Sequence, residues 1–83
     1  LLMPKKPRKN PPQHATVSSI LNQALAMHRG GNLQAAESKY REVLSRDPRQ
    51  FDALHLLGVV KAQTGDYPAA AALIGSAVSV RPD

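Results

Sequence analysis

Three histidines are the side chains best suited to acid–base chemistry or metal binding in this sequence. A metal site carried by a helix usually combines two histidines at positions i and i+4 with a cysteine or a cluster of acidic ligands. His14, His28 and His55 form no such pair, and the chain contains no cysteine. We therefore interpret the histidines as surface or groove residues, and we predict no metal ligand and no cofactor.

The acidic and hydroxyl side chains show no catalytic pattern either. The carboxylates of the central region are spread along the chain, without a partner that would shift a pKa. They are Glu37, Glu42, Asp47 and Asp52. The serines lack a neighbouring general base, and Gly30–Gly31 does not follow a strand, as a phosphate-binding loop would require. The sequence therefore predicts that this chain is not an enzyme.

The first segment of the chain carries four basic residues and no acidic one, although the whole chain has a net charge of +5. The four are Lys5, Lys6, Arg8 and Lys9. Prolines in the same segment disfavour helix and strand, so we predict a disordered basic arm over residues 1–15. Contact with nucleic acid or an anionic membrane is an alternative, but four cations give a salt slope of at most about −3.6 on duplex DNA. We favour a solvating tail over such a contact.

Length and hydropathy favour one small domain in the cytoplasm. The 83 residues are close to the size at which a single core is only marginally stabilising. No apolar run approaches the roughly 20 residues that span a bilayer, and Leu1–Leu2–Met3 is too short for the core of a signal peptide. The lack of cysteine gives no sign of an oxidising compartment.

One pattern occurs twice along the chain, with an offset of 34 positions. Gly31–Asn32–Leu33 aligns with Gly65–Asp66–Tyr67 in this register, and the two units cover residues 17–50 and 51–83. A repeat of this length is typical of stacked supersecondary units that bury a continuous core.

Apolar residues recur at helical spacing within each unit. Asn32 and Asp66 follow the glycine turns and can cap the next helix, whereas Pro48 and Pro82 end each unit. The apolar stripes of the second helices are Leu33, Ala36, Tyr40, Val43 and Leu44 in the first unit and Tyr67, Ala70, Ile74, Ala77 and Val78 in the second. We predict four antiparallel helices, at about 17–29, 33–46, 50–63 and 67–80.

This pattern resembles the tetratricopeptide repeat, a helix–turn–helix unit of 34 residues. The second unit matches with Leu54, Leu57–Gly58, Gly65–Asp66–Tyr67, Ala70, Ile74, Ala77 and Pro82, and the first with Ile20, Ala24, Gly31–Asn32–Leu33, Ala36, Tyr40, Val43 and Pro48. Gln23 stands where the family usually has leucine, and Lys61 where it has an aromatic residue. The resemblance implies an all-α, right-handed solenoid of helical hairpins over residues 17–83. Small residues such as Gly58 let its paired helices approach closely.

By the same resemblance, the first helices of the two units line a concave groove for a peptide or partner helix. It implies the binding residues Leu21, Asn22, Leu25, Arg29, His55, Leu56 and Val59. Asn22, Arg29 and His55 would be the polar clamps, and the aliphatic residues the anchors. His28 and Gln63 would be exposed beside them. Packing of the leucines against each other or against a neighbouring repeat is an equal alternative.

Residues 52–60 also resemble, more weakly, repeats in bacterial proteins similar to O-linked N-acetylglucosamine transferases. This implies, as an alternative, the substrate-recruiting part of a glycosyltransferase. Two repeats leave the last helix without a successor, so we expect Leu73, Ala77 and Val80 on its open side. The chain would then be a fragment of a longer repeat protein or associate with itself. The partner, the parent length and the oligomeric state stay open.

Overall fold

The computed structural model describes residues 16–81, which form four α-helices and no strand. The helices are α1 (Val17–Arg29), α2 (Leu33–Arg46), α3 (Phe51–Gln63) and α4 (Tyr67–Val80). The predicted all-α fold is confirmed, and only the start of α3 differs from the expected position, by one residue. The predicted arm over residues 1–15 and the proline at position 82 lie outside the described residues.

Each helix begins after a residue whose side chain caps it. The side-chain oxygens of Asn32 and Asp66 accept a hydrogen bond from the backbone N–H three residues on, at 3.2 Å, so both predicted caps are confirmed. Thr16 and Gln50 cap α1 and α3 in the same way, at 3.0 and 2.8 Å. Each cap satisfies a backbone donor that the helix leaves free, which stabilises the helix by about 1 kcal/mol.

In each unit, one glycine with a positive φ angle lies in the turn between the two helices. Gly31 and Gly65 have φ angles of 85° and 87°, in the left-handed region that other residues rarely adopt. The chain reverses there within a few residues, so α1 packs on α2 and α3 packs on α4 as helical hairpins. Helix α2 also packs on α3, and this contact joins the two units.

The core crosses the boundary between the two units. Ile20, Tyr40 and Val43 of the first unit are fully buried together with Leu57 and Val60 of α3. Because α3 supplies part of the cover for the first hairpin, neither unit buries this core alone.

Gly58 lies where α3 and α4 are closest. A Cβ atom built on Gly58 would lie 2.7 Å from Cγ1 of Ile74 and 3.4 Å from the carbonyl oxygen of Ala70. Real Cβ atoms do not come so near to a carbon atom, so the predicted need for a very small residue at position 58 is confirmed.

Lys61 and Gln23, which depart from the usual repeat pattern, have different environments. The Lys61 side chain is mostly buried, and its Nζ lies 2.8 Å from Oε2 of Glu37 on α2. The aliphatic stem therefore occupies the place of the usual aromatic residue while the charge is paired at the end. The Gln23 side chain is exposed, so the position at which the family usually has leucine does not contribute to the core in α1.

The open side of α4 is not where the sequence predicted it. Ala77 is buried and Leu73 packs against the core, although both were expected on the open side. The predicted apolar stripe of α4 is divided, because Ala70 and Ala77 are buried whereas Tyr67, Ile74 and Val78 have exposures of 68%, 37% and 53%. The difference arises because this stripe corresponds to the face of α2 that α3 covers, and no helix among residues 16–81 covers α4 in that way.

Candidate partner-binding surface

The predicted groove residues fall into three groups by exposure. Asn22, Arg29 and His55 are exposed, whereas Leu25, Leu56 and Val59 are half-buried. Leu21 has an exposure of only 9% and belongs to the core, so it offers little area to a partner. Leu25 and Leu56 also pack partly against the core, as the alternative interpretation expected. The predicted groove residues of α1 and α3 thus comprise three half-buried aliphatic side chains, three exposed polar ones and the buried Leu21.

A side-chain hydrogen bond between His28 and Gln63 joins α1 to α3; Gln63 is exposed, as expected, whereas His28 is half-buried. His28 Nε2 lies 2.7 Å from Oε1 of Gln63, and His28 Nδ1 lies 3.1 Å from the hydroxyl oxygen of Tyr40. In the neutral form with hydrogen on Nε2, the ring donates to the Gln63 oxygen and accepts from the Tyr40 hydroxyl. One imidazole thus connects three helices from both units.

His28 provides the hydrogen-bond partner of the Tyr40 hydroxyl. The Tyr40 side chain is fully buried, and a buried hydroxyl without a hydrogen-bond partner costs about 1–3 kcal/mol. Burial raises the pKa of Tyr40, an effect that the positive charge of Arg29 partly offsets. The hydroxyl therefore stays protonated and can donate to His28. The buried tyrosine was the sequence signal for this contact, because a buried hydroxyl must find a partner.

Glu37 is the centre of a second link between the units. Its Oε2 accepts hydrogen bonds from Lys61 Nζ at 2.8 Å and from Arg41 Nη2 at 2.9 Å. The hydrogen bond from Lys61 is the largest cause, and that from Arg41 the next, of the lowered pKa of Glu37. The carboxylate stays ionised and joins α2 to α3. Sequence reasoning missed this pair because its members lie on helices of different units.

His55 is held at the start of α3 by an aromatic contact. Its ring stacks on Phe51 with 5.9 Å between centroids and 25° between planes. The guanidinium carbon of Arg81 lies 4.4 Å from the centroid of the same Phe51 ring. The stacking limits the motion of His55 while its edge stays exposed, which suits a side chain that contacts a partner.

Two further features of the described segment bear on function. No group of three or more histidine, cysteine or acidic side chains within residues 16–81 is arranged to hold a metal ion. In the same part of the chain, every helix is too short or too polar to cross a membrane.

Stacked helical hairpins with a core that crosses their boundary define a helical-repeat protein. A family model described as Tetratricopeptide repeat matches residues 27–83, which is more than half of the chain. The protein therefore belongs to the tetratricopeptide repeat family, whose repeats are generally non-catalytic scaffolds for protein–protein interaction. No curated protein matches the chain. The weaker resemblance to glycosyltransferase-associated repeats stays a prediction.

Proposed function

We propose that this chain is a protein–protein interaction module that binds a peptide or a partner helix along the face formed by α1 and α3. The observation that carries the proposal is the combination of free polar groups with an apolar strip on one face. Asn22 and Arg29 make no hydrogen bond or ion pair within residues 16–81, and both are exposed. They lie on the same helix as the half-buried Leu25.

The apolar strip would supply the anchoring contacts. Leu25 on α1 and Val59 on α3 occupy the same position in their units, and Leu56 corresponds to Asn22. Apolar side chains of a bound segment would pack against these residues, and burying one of them contributes about 1.5–3 kcal/mol. Each anchor is half-buried before binding, so its contribution falls in the lower part of that range.

The polar groups would set the chemistry and direction of the bound segment. The amide of Asn22 can donate to and accept from a peptide backbone, and Arg29 can donate to a carboxylate or a carbonyl. Helix α1 contains no acidic residue, so an acidic side chain is favoured near Arg29. The face has too few such groups to capture a free carboxylate through a dedicated set of basic side chains.

The test uses peptides selected on the purified chain from a random-sequence display library. Their affinities are then measured by fluorescence anisotropy for the wild type and for Val59→Glu. We expect Val59→Glu to weaken binding at least about tenfold, equivalent to about 1.4 kcal/mol, because it places a charge in the apolar strip.

The matched control is Ser76→Glu, which adds the same charge at an exposed position of α4. It should bind as the wild type does, and both variants should keep a helical circular dichroism spectrum. Equal affinity of the Val59→Glu and wild-type proteins would show that partners bind elsewhere.

A further inference from the structure

The hydrogen bonds of His28 fix the orientation of the Gln63 side-chain amide. The buried Tyr40 hydroxyl lies 3.1 Å from His28 Nδ1 and has no other hydrogen-bond partner within residues 16–81. It donates its hydrogen to Nδ1, because a buried O–H group without an acceptor is costly. The hydrogen of the neutral ring then lies on Nε2, and this N–H donates to Gln63 Oε1 at 2.7 Å.

This orientation leaves the amide nitrogen of Gln63 available as a donor at the C-terminal end of α3. Gln63 is exposed, and its two side-chain N–H groups make no hydrogen bond in the described part of the chain. Its oxygen is already bound by His28. A ligand that approaches Gln63 therefore meets two donors.

Arg29 provides further donors at the corresponding end of α1. Arg29 and Gln63 are each the last residue of a helix of 13 residues, and so they hold the same position in their units. The two helix ends lie together, because His28, the neighbour of Arg29, bonds directly to Gln63. The positive charge of Arg29 also opposes the rise in the pKa of Tyr40, so the guanidinium lies near the same chain of hydrogen bonds.

The acidic residues of α1, α3 and their neighbours in residues 16–81 do not compete for these donors. Helix α1 has none, and Asp52 of α3 is about 16 Å along the helix from Gln63 at 1.5 Å per residue. Glu37 is already paired with two cations, and Asp66 accepts a hydrogen bond as the cap of α4. Carbonyl oxygens in the last turns of both helices accept N–H groups of the following turn, which reduces the negative potential there. This end of the face therefore favours an anion.

We propose that Gln63, oriented by His28, determines specificity on the face formed by α1 and α3 by binding an aspartate or glutamate side chain of the partner together with Arg29. A carboxylate has two acceptor oxygens and no donor, so one oxygen can accept from the guanidinium and the other from the amide. Leu25 and Val59 precede Arg29 and Gln63 by four positions, one turn along each helix. The bound segment thus carries an acidic residue close to an apolar one. This inference rests on the proposed function and adds the chemistry of the partner.

The experiment extends the peptide selection to Gln63→Glu. Peptides selected on the wild type should carry an aspartate or glutamate near an apolar residue. Gln63→Glu keeps an oxygen that accepts from His28 but replaces the amide donors by a negative charge. Its affinity for an acidic peptide should fall at least about tenfold while its helical circular dichroism spectrum and thermal unfolding stay as in the wild type. Peptides selected on Gln63→Glu should lack the acidic residue, whereas a purely structural role of Gln63 predicts no change in preference.

The matched control is Gln23→Glu, which makes the same chemical change at an exposed position of α1 outside the predicted groove residues. It should bind the acidic peptide as the wild type does. Amidation of the peptide C-terminus should leave the affinity unchanged, because the bound carboxylate belongs to a side chain. Equal binding by Gln63→Glu, selected peptides without an acidic residue, or lost affinity on amidation would each overturn this inference and leave the proposed function intact. Equal binding by Val59→Glu overturns the proposed function instead, and a selection that yields no peptide overturns both.

Discussion

Helices α2 and α4 hold the same place in the two units, but among residues 16–81 only α2 is covered by a helix of each unit. Tyr40 of α2 is fully buried, whereas Ile74, its counterpart on α4, keeps an exposure of 37%. Helix α3 packs on α2 and makes the difference. Burial in this fold therefore depends on the next helix along the stack as well as on the position within a unit.

The two helices also differ in the chemistry of that face. The face of α2 carries Glu37 and the Tyr40 hydroxyl, each of which is paired with a side chain from another helix. The same positions of α4 are apolar. Glu37 is paired with Lys61 of the covering helix α3, so a covering helix without a cation would leave this carboxylate unpaired, whereas the Tyr40 hydroxyl is paired within its own hairpin by His28 of α1. Ala71 stands at the position of Glu37 on α4, so the same face of α4 requires no cation from a covering helix.

The largest expected effect on the free energy of unfolding comes from truncating Tyr40, and we compare it with truncation of the aligned residue Ile74. Tyr40→Ala should lower the free energy of unfolding by about 3–5 kcal/mol, since it empties a fully buried site. Ile74→Ala should cost about 1–2 kcal/mol, because part of that side chain is already in water. Urea unfolding followed by circular dichroism measures both. If Tyr40→Ala is unfolded in buffer, a stabilising osmolyte brings its transition into range. Equal losses would contradict the role assigned to α3.

A smaller effect should follow from adding bulk at two glycines. Gly58→Leu should lower the free energy of unfolding by about 1–3 kcal/mol, because even a Cβ atom there would lie 2.7 Å from Ile74. Gly75→Ala should instead raise it by about 0.5–1 kcal/mol through helix propensity, as open space surrounds that site. Both variants are compared with the wild type at the same low protein concentration. Destabilisation by Gly75→Ala under those conditions would mean that α4 is more crowded than the structure shows.

Periodicity and turn residues predicted most of this fold. The 34-residue offset, the glycine turns and the caps at Asn32 and Asp66 are local signals, and they gave four helices close to the observed bounds. Contacts between units were harder to predict. The pairing of Glu37 with Lys61 and of His28 with Gln63 depends on how far one hairpin is displaced against the next, which no short-range pattern encodes.

The burial of α4 was predicted wrongly for a related reason. We expected α4 to lack a following helix but placed Leu73 and Ala77 on its open side, because periodicity alone does not fix how the helix is rotated against α3. The groove residues form an intermediate case. Their helices were predicted well, but Leu21 turns into the core because the packing of α1 on its neighbours sets its rotation.

The smallest predicted effect concerns the ion pair between Glu37 of the first unit and Lys61 of the second. Ala71 of α4 stands at the position of Glu37 and cannot take part in the same way. The folded pKa of Glu37 is lowered, so its stabilising contribution is present above the unfolded value of about 4.3 and is lost as the pH falls through the folded value. Lys61→Met keeps an apolar stem and removes the hydrogen bond that contributes most to this shift. It should lower the free energy of unfolding by about 1 kcal/mol at neutral pH and by less at pH about 3.

The control for this prediction is Lys39→Met, which removes a longer ion pair of 3.6 Å with Glu42 on the surface of α2. It should change the stability by less than about 0.5 kcal/mol at either pH, because exposed pairs within one helix contribute little. The comparison needs unfolding curves for both variants and the wild type at two pH values. A pH dependence in Lys61→Met equal to that of the wild type would mean that Arg41 alone holds the Glu37 carboxylate ionised, and that the cover of α2 by α3 does not depend on this charge.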